Sequence, residues 1–286
     1  MRKNGFTLVE AIVVIAILLI LGGLLTPIVS SQLQNKKIEV TEEKLKKIKK
    51  AIIGDPSVVQ FGQRTDFGYV GDVGVLPDWN GNGSVDIVDL YSLVVRPPHV
   101  NPWNYDATSG LWSGWRGPYL DPTQYPDGRY ESLLDGWGRD FIPEQPSGIA
   151  MRIRSYGPDG VSGTCGNDDI CIDIFYDEIQ AFVQGNTWDE CGTGLAFSGI
   201  RVYYPRNGTI LNYTVNPAGA LFFTTCTTAT CRTFPIGVRK IMADLNGNGV
   251  YGEASANEPN HFIVISNGPA VSLNLKRLGN CTSGSP

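Results

Sequence analysis

Residues 6–29 read FTLVEAIVVIAILLILGGLLTPIV, and apart from Thr7, Glu10 and Thr26 the stretch is apolar. Wound as a helix it rises about 36 Å, enough to cross a hydrocarbon layer about 30 Å thick. The run is longer than the apolar part of a cleaved secretory signal, and no small-residue cleavage site interrupts it at Leu24 and Leu25. Arg2 and Lys3 precede it, so the positive-inside rule keeps the N-terminus cytoplasmic and places everything after Val29 on the far side. Glu10 stands out. A carboxylate inside a bilayer costs roughly 2.5–3.5 kcal/mol and calls for a partner.

Working outward, the helical pattern continues past the apolar run. Between Gln32 and Ile53, Leu45, Ile48 and Ile52 recur at helical spacing, while Glu42 with Lys46 and Glu43 with Lys47 form i,i+4 pairs. One helix is therefore expected over 6–53, ending near Gly54-Asp55-Pro56. Lys44, Lys46, Lys47, Lys49 and Lys50 alternate with core positions and read as a solvated face, not as a lipid or DNA patch.

The rest of the 286-residue chain has a different texture. With 42% apolar residues it can build real cores, and with 34 Gly, 18 Pro and 18% charged residues it favours turn-rich β structure. Residues 1–53 hold nine of the 23 Lys/Arg and four of the 28 Asp/Glu, so the net charge of −5 belongs to an acidic body. Such a body repels polyphosphate, and no nucleic-acid partner is expected. Only two histidines occur, His99 and His261, far apart in sequence. No nucleophile with a base, no distinct catalytic carboxylate pair and no phosphate loop is legible, so the chain is not expected to be an enzyme.

The string Gly5-Phe6-Thr7-Leu8-Val9-Glu10 closely resembles the class III signal of type IV pilins and type II secretion pseudopilins. That resemblance implies that prepilin peptidase cuts after Gly5 and that Phe6 becomes the methylated N-terminus. It implies further that Glu10 pairs with the N-terminus of a neighbouring subunit, and that Pro27 falls where related helices kink. Three later strings are similar to the globular domain of the major pseudopilin. They are Gly114-Trp115-Arg116-Gly117-Pro118-Tyr119-Leu120, Asp135-Gly136-Trp137-Gly138-Arg139-Asp140-Phe141, and Ser155-Tyr156-Gly157-Pro158-Asp159-Gly160 followed by Asp168-Asp169-Ile170. The likeness covers about residues 1–174 and implies a small antiparallel sheet on the helix and a calcium loop. Asp159, Asp168 and Asp169 would supply carboxylates to it, and the family comparison adds a carbonyl near Tyr156. Pro77–Pro102 and everything after Asp177 exceed the usual subunit.

Two further loops are read from spacing. From Asp78 to Asp89, oxygen donors fall at positions 1, 3, 5, 9 and 12 (Asp78, Asn80, Asn82, Asp86, Asp89), with Gly83 at the sharp turn and the Ser84 carbonyl at position 7. This fits calcium, with Asp where an EF-hand has a bidentate Glu; a metal-free Asx/Gly turn is the alternative. Asp244, Asn246, Asn248 and the Val250 carbonyl repeat its first half, with Glu253 or Glu258 as late donors and Ser255 at position 12, against an ordinary hairpin turn. Trp103, Trp112, Trp115 and Trp137 read as packing residues rather than a sugar platform.

Beyond Phe182 the strings Ile200–Tyr204, Leu221–Thr225, Phe234–Met242, His261–Ile265 and Ala270–Leu275 predict an all-β sandwich. Phe234-Pro235-Ile236-Gly237-Val238-Arg239 before a strand resembles transthyretin-like or carboxypeptidase-regulatory-like modules. All six cysteines follow the apolar run, where disulfides are the default and no CxxC supports zinc. Neighbourhood favours Cys165–Cys171 and Cys226–Cys231, leaving Cys191–Cys281. Chain entropy assigns roughly 2 kcal/mol to the first bridge and above about 4 kcal/mol to the last. The sequons at Asn207, Asn212 and Asn280 are not expected to be routinely glycosylated behind a bacterial-type N-terminus.

The expected fold is α+β: a long membrane-spanning helix packed on a small antiparallel sheet, followed by a β-sandwich. Its parts are a leader 1–5, an assembly helix 6–53, a pilin-like domain 54–177 and the sandwich 178–286. The expected role is that of a structural subunit in a type IV pilus-like or type II secretion pseudopilus filament. The alternative is a minor or tip subunit whose sandwich binds a secreted substrate, carbohydrate or surface. Partners would be copies of itself or other pilin subunits, the inner membrane and prepilin peptidase, with calcium as cofactor. The globular part would be periplasmic before assembly, and the filament periplasmic or extracellular.

Overall fold

A computed structural model of the chain describes residues 8–188, 194, 199–215, 221–223, 233–244, 246–254, 258–266 and 270–276. Its first element, α1, is a single helix, Leu8–Ile53, continuous in backbone through Pro27. The helix ends where Gly54 adopts φ +77° and its N–H bonds the Lys50 carbonyl at 2.7 Å, a left-handed stop that glycine enters without steric cost.

Among the described side chains of α1, those that pack into a core lie in its second half. Leu45, Ile48 and Ile52 are essentially fully buried, as their spacing predicts. Two lysines of the basic cluster, expected to form a solvated face, instead latch the helix to the globular part, while Lys46 pairs with Glu42 on the helix itself and Lys50 with Asp55 just beyond it. Lys44 Nζ donates to the carbonyls of Glu131 and Leu134 at 2.9 and 3.0 Å, and Lys49 Nζ bonds the Asp173 carbonyl and pairs with Glu178 at 2.7 Å. The first half is different: Leu8, Val9, Ile12, Val13, Ile15, Ile17, Leu18 and Leu19 are each at least half exposed. Among the described residues no helix is long and apolar enough to cross a membrane; side chains of α1 are described for 8–19 and again from 29. The spanning role of 6–29 therefore rests on the sequence.

After α1 come the hairpin β1 (Val59–Gln60) and β2 (Gln63–Arg64), the short helix α2 (Gly68–Val73), and the hairpin β3 (Asn104–Asp106) and β4 (Leu111–Ser113). An antiparallel sheet follows in the order β5 (Ile142–Glu144), β6 (Met151–Ser155), β7 (Ile170–Ile174). Along β6, Met151, Ile153 and Ser155 point inward in strict alternation, the period of a half-buried strand. Met151 and Ile153 join Tyr69, Phe141 and Ile174 in one core with the packed face of α1.

The short helix α3 (Tyr176–Ile179) leads into the second half. One of its sheets runs β10 (Thr209–Val215), β9 (Gly199–Arg206), β13 (Gly237–Asp244), β14 (Asn260–Ile265), all antiparallel. The other centres on β8 (Gln180–Trp188), which pairs antiparallel with β11 (Leu221–Phe223) and β12 (Phe234–Pro235) and parallel with β15 (Ala270–Lys276). Both sheets feed one apolar cluster that includes Val183 of β8, Val202 of β9, Phe234 of β12, Ile241 of β13, Ile265 of β14 and Leu275 of β15. The string 234–242 is thus two strands, separated at Ile236, with Gly237 opening the second at φ +127°.

The two halves meet at a buried polar junction. Arg239 is 2% exposed and donates to the carbonyls of Pro235, Val238 and Ile236 and, across the junction, to that of Gly71 in α2 at 3.2 Å. Beside it Asp72 accepts from Tyr119 Oη at 3.0 Å and pairs with Arg116 at 3.0 Å. Gly208 N–H bonds the Val73 carbonyl at 3.2 Å, and a Cβ on Gly74 would lie 1.8 Å from the Pro205 oxygen, so the backbones touch.

Candidate functional site

The processing residues Gly5 and Phe6 lie outside the described residues. Glu10 occupies the first turn of α1, where the helix dipole favours a carboxylate. The exposed apolar side chains that follow it would each contribute about 1.5–3 kcal/mol on full burial. A surface this apolar marks an interaction site, with lipid or with another chain.

The Asp135–Phe141 string owes its composition to docking on α1. A Cβ on Gly136 would sit 2.2 Å from the Lys37 carbonyl oxygen, so only glycine permits this approach. Gly136 N–H donates to Thr41 Oγ1 at 2.9 Å, and Trp137 Nε1 reaches Gln34 Oε1 at 3.0 Å. Asp135, buried, accepts from the backbone N–H of Trp137 and Arg139 and from Ser155 Oγ. Of the other tryptophans, Trp115 packs, its Nε1 bonding the Ser92 carbonyl, while Trp103 and Trp112 stack at 5.9 Å with Arg116 over Trp103, and Trp112 remains more than half exposed instead of packed as expected.

In the 78–89 loop, Asp78 Oδ1 and Oδ2 accept from the N–H groups of Gly81 and Gly83 at 2.7 and 2.9 Å. Asn80 Oδ1 and Asn82 Oδ1 cap the N–H groups of Asn82 and Ser84. Both amides then converge, Asn80 Nδ2 and Asn82 Nδ2 donating to the single oxygen Asp86 Oδ2 at 2.9 and 2.8 Å, which holds the Asp86 carboxyl below its ordinary range. Asp89 is fully buried, its oxygens accepting from the backbone N–H of Trp79 and Asp86; burial pushes its carboxyl up against those bonds.

The 244–258 loop repeats this wiring. Asp244 accepts from Gly247 and Gly249 at 2.8 and 3.0 Å. Asn246 Oδ1 and Asn248 Oδ1 cap Asn248 and Val250. Their Nδ2 groups converge on Glu253 Oε2 at 3.0 and 2.6 Å. Glu258 then stands where Asp89 does, accepting from the backbone N–H of Asn246 and Glu253. Counting twelve positions points to Ser255, outside the described residues. The structure instead uses both late glutamates, Glu253 in the role of Asp86 and Glu258, 7% exposed, in that of Asp89.

The 156–173 loop is built differently. Cys165 and Cys171 are joined, and the Tyr156 carbonyl accepts from Gly160 N–H at 3.2 Å. Asp159 Oδ1 caps the Val161 N–H at 3.0 Å. Asp169, 1% exposed, gives Oδ2 to Arg154 Nη1 at 3.0 Å and to Gly163 N–H at 2.9 Å, whereas its buried Oδ1 has no hydrogen-bond partner among the described residues. That oxygen and Asp168 Oδ2 are both 3.5 Å from the point where a Cβ on Gly163 would stand. Asp159, Asp168 and Asp169 line one cavity of about 860 Å³ with Ile38 and Leu45 of α1. Among the described residues no three His, Cys, Asp or Glu side chains come together as a ready metal site, so a cation in any of these loops needs amide or backbone oxygens as well. Cys191, Cys226, Cys231 and Cys281 lie outside the described residues.

No curated protein matches the chain. Residues 1–26 match the family described as the prokaryotic N-terminal methylation motif, so the chain carries a pilin-like, prepilin-type N-terminus.

Proposed function

We propose that the chain is a structural subunit of a type IV pilus-like or type II secretion pseudopilus filament, inserted through residues 6–29 and assembled after cleavage between Gly5 and Phe6. The observation that carries this reading is the methylation motif at residues 1–26 leading into a helix whose first half presents apolar side chains and whose second half is packed into a globular body. In the membrane the apolar half meets lipid; in a filament it meets other copies, where a neighbour's amino group offsets the cost of Glu10. A minor or tip position, with the second half presenting a binding surface, is favoured by the bulk of the two additional sheets. Copy number in isolated filaments separates the two readings.

Calcium is part of the proposal. In the 78–89 and 244–258 loops two amide N–H groups point at one carboxylate oxygen, the place a cation takes when the amides turn their oxygens inward and give up the caps on Asn82, Ser84, Asn248 and Val250 in exchange for the metal. Asp78, Asn80, Asn82, Asp86, Asp89 and the Ser84 carbonyl would hold one ion. Asp244, Asn246, Asn248, Glu253, Glu258 and the Val250 carbonyl would hold a second. In the 156–173 loop the orphaned Asp169 Oδ1 and Asp168 Oδ2 suit a third, with Asp159 lining the same cavity and the Tyr156 carbonyl added by the family resemblance. Such ions order and stiffen the exported part.

Exchanging Glu10→Ala tests the filament reading. Membrane insertion should be unchanged or improved, because a costly carboxylate is gone, while filament yield falls. Normal filaments from this variant would overturn the role given to Glu10.

A further inference from the structure

Arg154 lies on β6 directly opposite Cys171 on β7, at the root of the 156–173 loop. Its guanidinium is largely buried, with the side chain 14% exposed. It forks between two carboxylates: Nε and Nη2 bond Glu144 Oε1 at 3.1 and 2.7 Å, and Nη1 bonds Asp169 Oδ2 at 3.0 Å. Nη1 also reaches Ser162 Oγ and the Gly163 carbonyl, both at 3.2 Å. A planar fork of this kind meets its acceptors in fixed directions and with up to five N–H donors, a geometry that the three donors of a lysine ammonium do not reproduce. Asp169 is thereby divided, one oxygen on the guanidinium and the other buried, without a partner among the described residues and, like Asp168 Oδ2, 3.5 Å from the point where a Cβ on Gly163 would stand.

We propose that Arg154 is a built-in competitor for the calcium of this loop. Resting on the calcium reading above, the inference adds what sets the loop's affinity. Without metal, the guanidinium neutralises Asp169 and, with the Cys165–Cys171 bridge, keeps the loop closed. A divalent ion on Asp169 Oδ1 and Asp168 Oδ2 shares its carboxylate with a fixed positive charge, and the like charges repel at short range. Glu144 gives the guanidinium a second anchor to lean on when the ion enters. The loop then binds calcium weakly and reversibly, whereas the 78–89 and 244–258 loops carry no guanidinium among the contacts described above.

The test is calcium titration calorimetry on the processed full-length chain in detergent, comparing wild type with Arg154→Gln, Arg154→Lys and the double variant Arg154→Gln, Asp168→Asn. A unit charge at this range shifts a carboxylate equilibrium by one or more powers of ten, so Arg154→Gln should tighten one class of site about tenfold. The double variant should lose that gain. Arg154→Lys, which keeps the charge but not the fork, should fall between wild type and Arg154→Gln; it also supports the reading on its own if the glutamine variant does not fold. Unchanged or weakened calcium binding in a folded Arg154 variant overturns the competition while leaving the calcium sites standing. Absence of calcium binding in every chain overturns the calcium reading itself, and this inference with it.

Discussion

Replacing Asp72 by Asn probes the junction on which the unity of the two halves depends. Asp72 is 8% exposed, and burial raises its carboxyl to about 6 from 3.8, against the opposing pull of Arg116, Tyr119 and Arg239. Burial wins for a structural reason: Arg116 is half exposed, and Arg239 spends its donors on backbone carbonyls. A folded-state value above the unfolded one means that the native chain holds this proton more tightly. The stabilisation is therefore complete below about pH 4, declines as pH rises, and is lost above about pH 6. A shift of about two units corresponds to about 3 kcal/mol. Urea unfolding of the full-length chain in detergent measures it. The stability of wild type relative to Asp72→Asn should fall by about 2–3 kcal/mol between pH 4 and pH 7.5. A difference that rises with pH would show that the arginines dominate; a flat one would show that Asp72 titrates alike folded and unfolded. Either result refutes the reasoning.

Two further outcomes are expected. Gly136→Ala should cost about 3 kcal/mol or more, because its Cβ meets the Lys37 carbonyl at 2.2 Å, whereas Gly138→Ala, with open space around it and only its φ of +79° to strain, should cost about 1–2 kcal/mol; chemical denaturation compares them. Chelation should lower the melting temperature, with calcium at a hundredfold excess over Kd worth about 2.7 kcal/mol per site, and Asp89→Asn and Glu258→Gln should each remove a similar share of the calcium dependence in scanning calorimetry.

What the sequence disclosed follows from how local each signal is. The buried face of α1 was legible because Leu45, Ile48 and Ile52 repeat within one helix, and Gly54 marked its end. The strands at 200–204, 261–265 and 270–275 announced themselves as short apolar runs. β8 did not, since Gln180, Gln184, Gly185 and Asn186 interrupt its apolar alternation, although it is the strand on which its sheet is organised. β10 was read only as sequons. The 78–89 loop could be counted residue by residue, but the 244–258 loop could not, because extra residues before Glu258 break the spacing while the hydrogen bonding is retained. The signal available was chemical, two late glutamates after a DxNGNG string. Arg239 with Gly71 and Asp72, and Gly136 with Lys37, are meetings of distant segments that no periodicity encodes.

The central claim is that this chain is processed as a prepilin, and the most direct test is mass spectrometry of the N-terminal peptide of the mature protein. A peptide beginning at Phe6 with one added methyl group is the predicted result. A mature chain that still begins at Met1, or one cut beyond Thr26, would contradict it.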